Sequence, residues 1–158
     1  MNLAHLHLLL NHFPTIGTIV GVGLFVISLL WRNEHVKKAS LGLFVIIALI
    51  CIPAYLTGRA AQDSVSENPE VTDILIRNHQ DEALIAFVFM QLTGIVSWIG
   101  LWQYRRLARM QAWNLAAVLL LSITTFALMA RAANLGGEIR HPEIRTGVES
   151  QASEEPAP

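Results

Sequence analysis

Cysteine is nearly absent from this chain of 158 residues. The one present, Cys51, has no partner for an intrachain disulfide, and it stands in an apolar run where a small buried hydrophobe is expected. Charge is scarce too, at 15% of residues against 53% hydrophobic, with a mean hydropathy of +0.47. So apolar and so short a chain excludes an ordinary soluble domain and reads as one integral membrane domain. The first twelve residues contain no Lys or Arg, so the charged n-region of a cleavable signal is missing and the first apolar span is expected to be a permanent anchor. There is no basic tract to argue for nucleic acid. Nor does any acid lie deep within an apolar span, which argues against proton pumping or ion-coupled transport.

What is present is a set of long apolar runs. Residues 1–12, leucine-rich and too few to cross a bilayer alone, suit an interfacial helix; Pro14 fits the first turn of a membrane helix beginning near Phe13. Spans are expected at about 13–31, 41–58 (with Pro53 as a kink), 82–104 and 113–133. Between the second and third lies a polar connection, Arg59 to Arg77, in which Asn68-Pro69-Glu70 has the pattern of a short helix start running through Ile76. Asn134-Leu-Gly-Gly137 has the pattern of a helix stop. Residues 143–158 are acidic and turn-rich, and a disordered tail is expected there. The spacing Gly17-Thr-Ile-Val-Gly21 lets a neighbouring backbone approach closely. Gln91, Thr93 and Ser97 on the third span, with Ser122, Thr124 and Thr125 on the fourth, suit contacts between helices.

Charge segregation orients the bundle. The turn between spans one and two carries Arg32, Lys37 and Lys38, and that between spans three and four carries Arg105, Arg106 and Arg109. Glu34 is the single acid among them; the other eleven lie in the long connection, at its junction with span three, or in the tail. By the positive-inside rule the basic turns are cytoplasmic and both termini are outside, with Trp31, Trp102 and Trp113 as an inner aromatic belt. The expectation is an all-α integral membrane protein, a four-transmembrane-helix bundle with a short amino-terminal interfacial helix, spanning residues 13–142, with both termini outside.

In this topology His5, His7, His12, His79 and His141 gather on the outer side, and only His35 lies inside, in a solvated turn. Imidazoles arriving from three chain segments are what a b-type haem site needs, because two axial ligands must face one another across the iron. His7, His12, His79 and His141 are the main candidates; two pairings would hold two haems and one pairing one, and the spacing leaves the pairs open. His5 is better read as an ordinary hydrogen-bonding residue. Arg59, at the outer end of span two, and Arg131, within the last turn of span four, are suitable partners for haem propionates; the alternative is snorkelling to the headgroups. Glu138 and Glu143 flank His141, either as groups that orient it or as oxygen ligands of a non-haem metal.

Three stretches carry a resemblance. His7 and His12 in HLLLNHFP, His79 in NHQDEAL, and Gly136, Gly137, Glu138 and His141 in NLGGEIRH are together similar to the motifs of a bacterial family of four-span membrane proteins, domain of unknown function 2231. In that family Pro usually follows the first His, where this chain has Leu8. The resemblance covers most of residues 5–142. It implies that the four histidines belong to one recurring pattern, and that the protein binds haem and transfers electrons near periplasmic c-type cytochromes. The resulting expectation is a haem b protein, with one or two haems, exchanging electrons with a c-type cytochrome or quinol. It is expected to be a subunit of a larger membrane complex rather than a stand-alone enzyme. A cofactor-free structural subunit and a non-haem metal protein are the alternatives.

Overall fold

A computed structural model describes residues 3–66 and 73–141. They form five helices, α1 (Leu3–Leu10), α2 (His12–Leu30), α3 (Glu34–Ser66), α4 (Asp73–Leu107) and α5 (Ala112–Arg140), with no strand among the described residues. A helix satisfies every backbone group within its own segment, which is what a run of apolar residues in lipid requires. Four candidate spans result, each long and apolar enough to cross a membrane: His5–Leu30, Glu34–Ala60, Asp73–Leu107 and Ala112–Ile139.

The first span joins α1 to α2. Pro14 has no N–H to give the Leu10 carbonyl, which interrupts the helix at Asn11. The interruption is slight, for Asn11 keeps a helical backbone and its N–H still reaches the His7 carbonyl at 2.9 Å. The amino-terminal segment is therefore helical, and it leans on α3. Pro53 likewise leaves α3 unbroken; Thr57 Oγ1 lies 2.8 Å from the Pro53 carbonyl and 3.1 Å from that of Ala54.

Short turns make neighbouring helices antiparallel. The α2–α3 turn passes through Arg32 at φ 52° and the α4–α5 turn through Ala108 at φ 55°. Asn33 Oδ1 then caps α3, accepting from the His35 and Val36 amides at 3.0 and 3.1 Å. A left-handed residue with a Cβ costs about 1 kcal/mol, so Ala108→Gly should raise the thermal midpoint of the detergent-solubilised protein by an amount equivalent to about 1 kcal/mol. An unchanged or lower midpoint would show that the turn is not strained.

The helices pack in a ring: α2 on α3, α3 on α4, α4 on α5, and α5 back on α2. Gly17 and Gly21 face α3, where a Cβ would stand 2.9 Å from Ile47 and 2.6 Å from Phe44, so the small residues do bring the two backbones together. Gly94 abuts Ala48 across the α3–α4 contact, and the Gln91 amide donates to the Ala48 carbonyl at 2.9 Å beside it. Thr93 and Thr125 share a hydrogen bond of 2.8 Å between α4 and α5. At the centre of the ring Thr18 lies between the thioethers of Met90 and Met129, at 3.6 and 3.5 Å. Large apolar side chains such as Leu49, Leu120 and Trp98 point outward, as they do where the surroundings are acyl chains.

Three helices run further than the hydropathy implies, and α4 already begins at Asp73, ahead of the span expected from about residue 82. α3 starts at Glu34, ahead of the apolar run, and α5 passes straight through Gly136 and Gly137 to Arg140, so the expected stop at Asn134 to Gly137 does not occur. Asn68-Pro69-Glu70, Glu143 and the tail lie outside the described residues. The ring has a basic end, with Arg32, Arg105 and Arg106 at the two turns, and a histidine end, where α1 and α4 begin and α3 and α5 finish.

Candidate functional site

Two histidines at the same end of the bundle are held in the same way. His7 on α1 places Nδ1 2.9 Å from the Ala54 carbonyl of α3, and His79 on α4 places Nδ1 2.9 Å from the Ala132 carbonyl of α5. A carbonyl only accepts, so in each ring Nδ1 carries the proton and Nε2 of the neutral imidazole keeps its lone pair. Ligating histidines are commonly prepared in this way, with the far nitrogen tied to a carbonyl and the near one left for the metal.

The floor under each ring is also the same. Gly58 stands one helical turn beyond Ala54, and a Cβ there would lie 2.8 Å from His7 Cε1; Gly136 stands one turn beyond Ala132, and its Cβ would lie 3.1 Å from His79 Cε1. A side chain at position 58 would thus collide with the His7 ring, and one at position 136 would press on that of His79. His7 and His79 are half-buried and within electrostatic reach of one another. The helices that carry them stand apart, however: α1 packs on α3 and α2, and no Cα of α1 comes within 8 Å of α4 or α5 among the described residues.

The other sequence candidates are held differently. His12 is exposed, with Nδ1 3.2 Å from the Leu8 carbonyl one turn back on its own strand of helix. His141 is exposed and closes α5, its N–H bonded to the Gly137 carbonyl at 2.9 Å. His5 is exposed as well. Arg131 forms an ion pair of 2.9 Å with Glu82 of α4, an acid that sequence reading placed only at the junction with span three. The Arg131 side chain is 69% exposed, so this pair ties α4 to α5 at a modest gain of about 0–1 kcal/mol. Glu138 accepts from the Asn134 amide at 2.7 Å within α5.

Arg59 lines a cleft of about 250 Å³ between α3 and α4, together with Tyr55, Gly58, His79 and Asp81. Tyr55 is fixed there by stacking on Phe87, with ring centroids 4.7 Å apart. Among the described residues no three His, Cys, Asp or Glu side chains converge as metal ligands.

Ala54, Gly58 and Ala132 belong to the site although none stands in the motifs named above, and Gly136, which does, lies beneath His79 rather than ending a helix. Their signal in the sequence is an Ala and a Gly four apart at the histidine end of both the second and the fourth span. Comparison with family models, with curated proteins and with solved structures gives no match.

Proposed function

We propose that this chain is a haem b-binding electron-transfer subunit of the membrane, with His7 and His79 at the centre of its site. The observation that carries the reading is the matched fixing of the two rings, each with Nδ1 spent on a carbonyl and Nε2 left over. The glycine under each ring and the separation of α1 from α4 and α5 fit a bulky planar group between the two imidazoles. Haem, when bound, supplies a one-electron carrier whose potential its two imidazole ligands help to set.

The chain's own residues do the rest. Ala54 and Ala132 hold the tautomer, while Gly58 and Gly136 let each ring come close to the neighbouring helix. Arg59, exposed at the same end, is the cation suited to a propionate, since Arg131 already has Glu82. His12, His141 and Glu138 remain candidates on sequence grounds alone. Basic turns on the opposite side favour a periplasmic position for the site in a bacterial inner membrane, in reach of a c-type cytochrome or a membrane quinol and of partner subunits.

The test is a reduced-minus-oxidised spectrum of the protein purified from haem-replete cells. Soret and alpha bands of b type are expected. A flat spectrum, with no metal by elemental analysis, would leave a structural subunit in which the same two histidines serve as clasps between helices.

A further inference from the structure

The two halves of the chain repeat one design. Each half leaves the histidine end, turns at the basic end through one left-handed residue, and comes back: α1–α2–α3 through Arg32, and α4–α5 through Ala108. In each half the outgoing helix carries the histidine and the returning helix carries its acceptor, Ala54 or Ala132, with the glycine one turn beyond. Even the order of approach agrees, since a Cβ on either glycine would meet Cε1 first, then Nδ1, then Nε2.

Deeper in the ring the correspondence continues. Cys51 lies one turn below Ala54, as Met129 lies one turn below Ala132, and both are buried in the core. Thr18 and Met90 stand eleven residues after their histidines and touch one another at 3.6 Å. Residues at matching positions of two like-directed hairpins meet only at the axis that relates them, so the Thr18–Met90 contact marks that axis near the centre of the ring. His7 and His79 are matching positions of the same two hairpins, on opposite sides of it.

We infer that the chain is an internally repeated helical hairpin whose two half-sites close on the repeat axis to hold a single haem through His7 and His79, with His12 and His141 taking no part. This rests on the haem reading above and adds to it a count and a ligand pair. A twofold arrangement of two equivalent donors around one axis offers one place for a metal between them, not two.

The experiment is a titration of the full-length, detergent-purified protein, freed of any bound haem, with hemin, read by absorbance and electron paramagnetic resonance. One equivalent per chain is expected, as a six-coordinate low-spin species. His7→Ala and His79→Ala should each convert it to a five-coordinate high-spin form, and free imidazole should restore the low-spin signal to both. His12→Ala and His141→Ala should superimpose on the unsubstituted protein. Far-UV circular dichroism and size-exclusion elution show that each variant is folded, and imidazole rescue separates ligation from a merely structural role. Uptake of two equivalents, loss of the low-spin form in His12→Ala or His141→Ala, or a change in only one of His7→Ala and His79→Ala overturns the pairing while leaving haem binding intact. No uptake at all overturns both.

Discussion

Alanine at Gly58 should weaken binding of the proposed haem by about 10–100-fold, the range seen when the group that orients a metal-bound histidine is lost. A Cβ at this position would stand 2.8 Å from Cε1 and 3.0 Å from Nδ1 of His7, closer than carbon atoms tolerate. The imidazole is the free end of a flexible side chain, so it is the ring that yields and α3 that stays. Swinging away breaks the bond to the Ala54 carbonyl, which costs about 1 kcal/mol of stability, and it releases the tautomer that leaves Nε2 for the metal. At Gly136 the corresponding distance to His79 is 3.1 Å, which a shift of a few tenths of an ångström relieves. The expected order of hemin dissociation constants is therefore Gly58→Ala well above Gly136→Ala, and Gly136→Ala above the unsubstituted protein. The reverse order, or Gly58→Ala indistinguishable from the unsubstituted protein, would remove the glycines from the site.

Leucine at Gly94 should destabilise the bundle by about 3 kcal/mol, at the upper end of what overpacking costs. The clash here differs in kind. The new Cβ would overlap the Cβ of Ala48 and stand 3.6 Å from the Phe44 carbonyl, and neither neighbour has a torsion with which to move aside. Relief comes only by parting α3 from α4, which also draws the Gln91 amide off the Ala48 carbonyl. Gly23 supplies the control, since nothing lies within 4 Å of its would-be Cβ. Gly23→Leu should fall within about 0.5 kcal/mol of the unsubstituted protein, as substitutions away from packed contacts do. Thermal unfolding in one detergent, followed by circular dichroism, compares the two; equal midpoints would mean that the α3–α4 contact is not tight.

The number of spans and their turns are legible in the sequence because lipid demands long uncharged runs, and such runs are hard to mistake. The ends of the helices are less so. Hydropathy reports where the hydrocarbon stops, whereas a helix continues for as long as its backbone hydrogen bonds do; this is how α3 comes to start at Glu34 and α5 to pass through two glycines to Arg140. Gly136 reads locally as a stop but serves as the floor beneath His79, a use that depends on a helix remote in sequence.

The set of candidate histidines was legible, and their ranking was not. His12 stands where a membrane helix begins, a natural place for a ligand, yet it is exposed and its Nδ1 lies 3.2 Å from the Leu8 carbonyl of its own turn. His7, in the segment read as interfacial, is the one that reaches another helix. The in-span polar residues divide similarly. Gln91, Thr93 and Thr125 do bridge helices, while Ser122 bonds back to Leu119 of its own helix and Thr124 is exposed. Facing is a property of pairs of helices, and a single sequence shows one helix at a time.

The separation of α1 bears on how the protein is made. Among the described residues α1 is fastened to α3 and α2, and no Cα of it comes within 8 Å of α4 or α5. A flat, rigid guest would pass between them without unzipping any of the four interfaces of the ring. Loading would then come late in biogenesis, after all four spans have been inserted and packed, and a cell short of the guest would still accumulate an assembled empty protein ready to receive it.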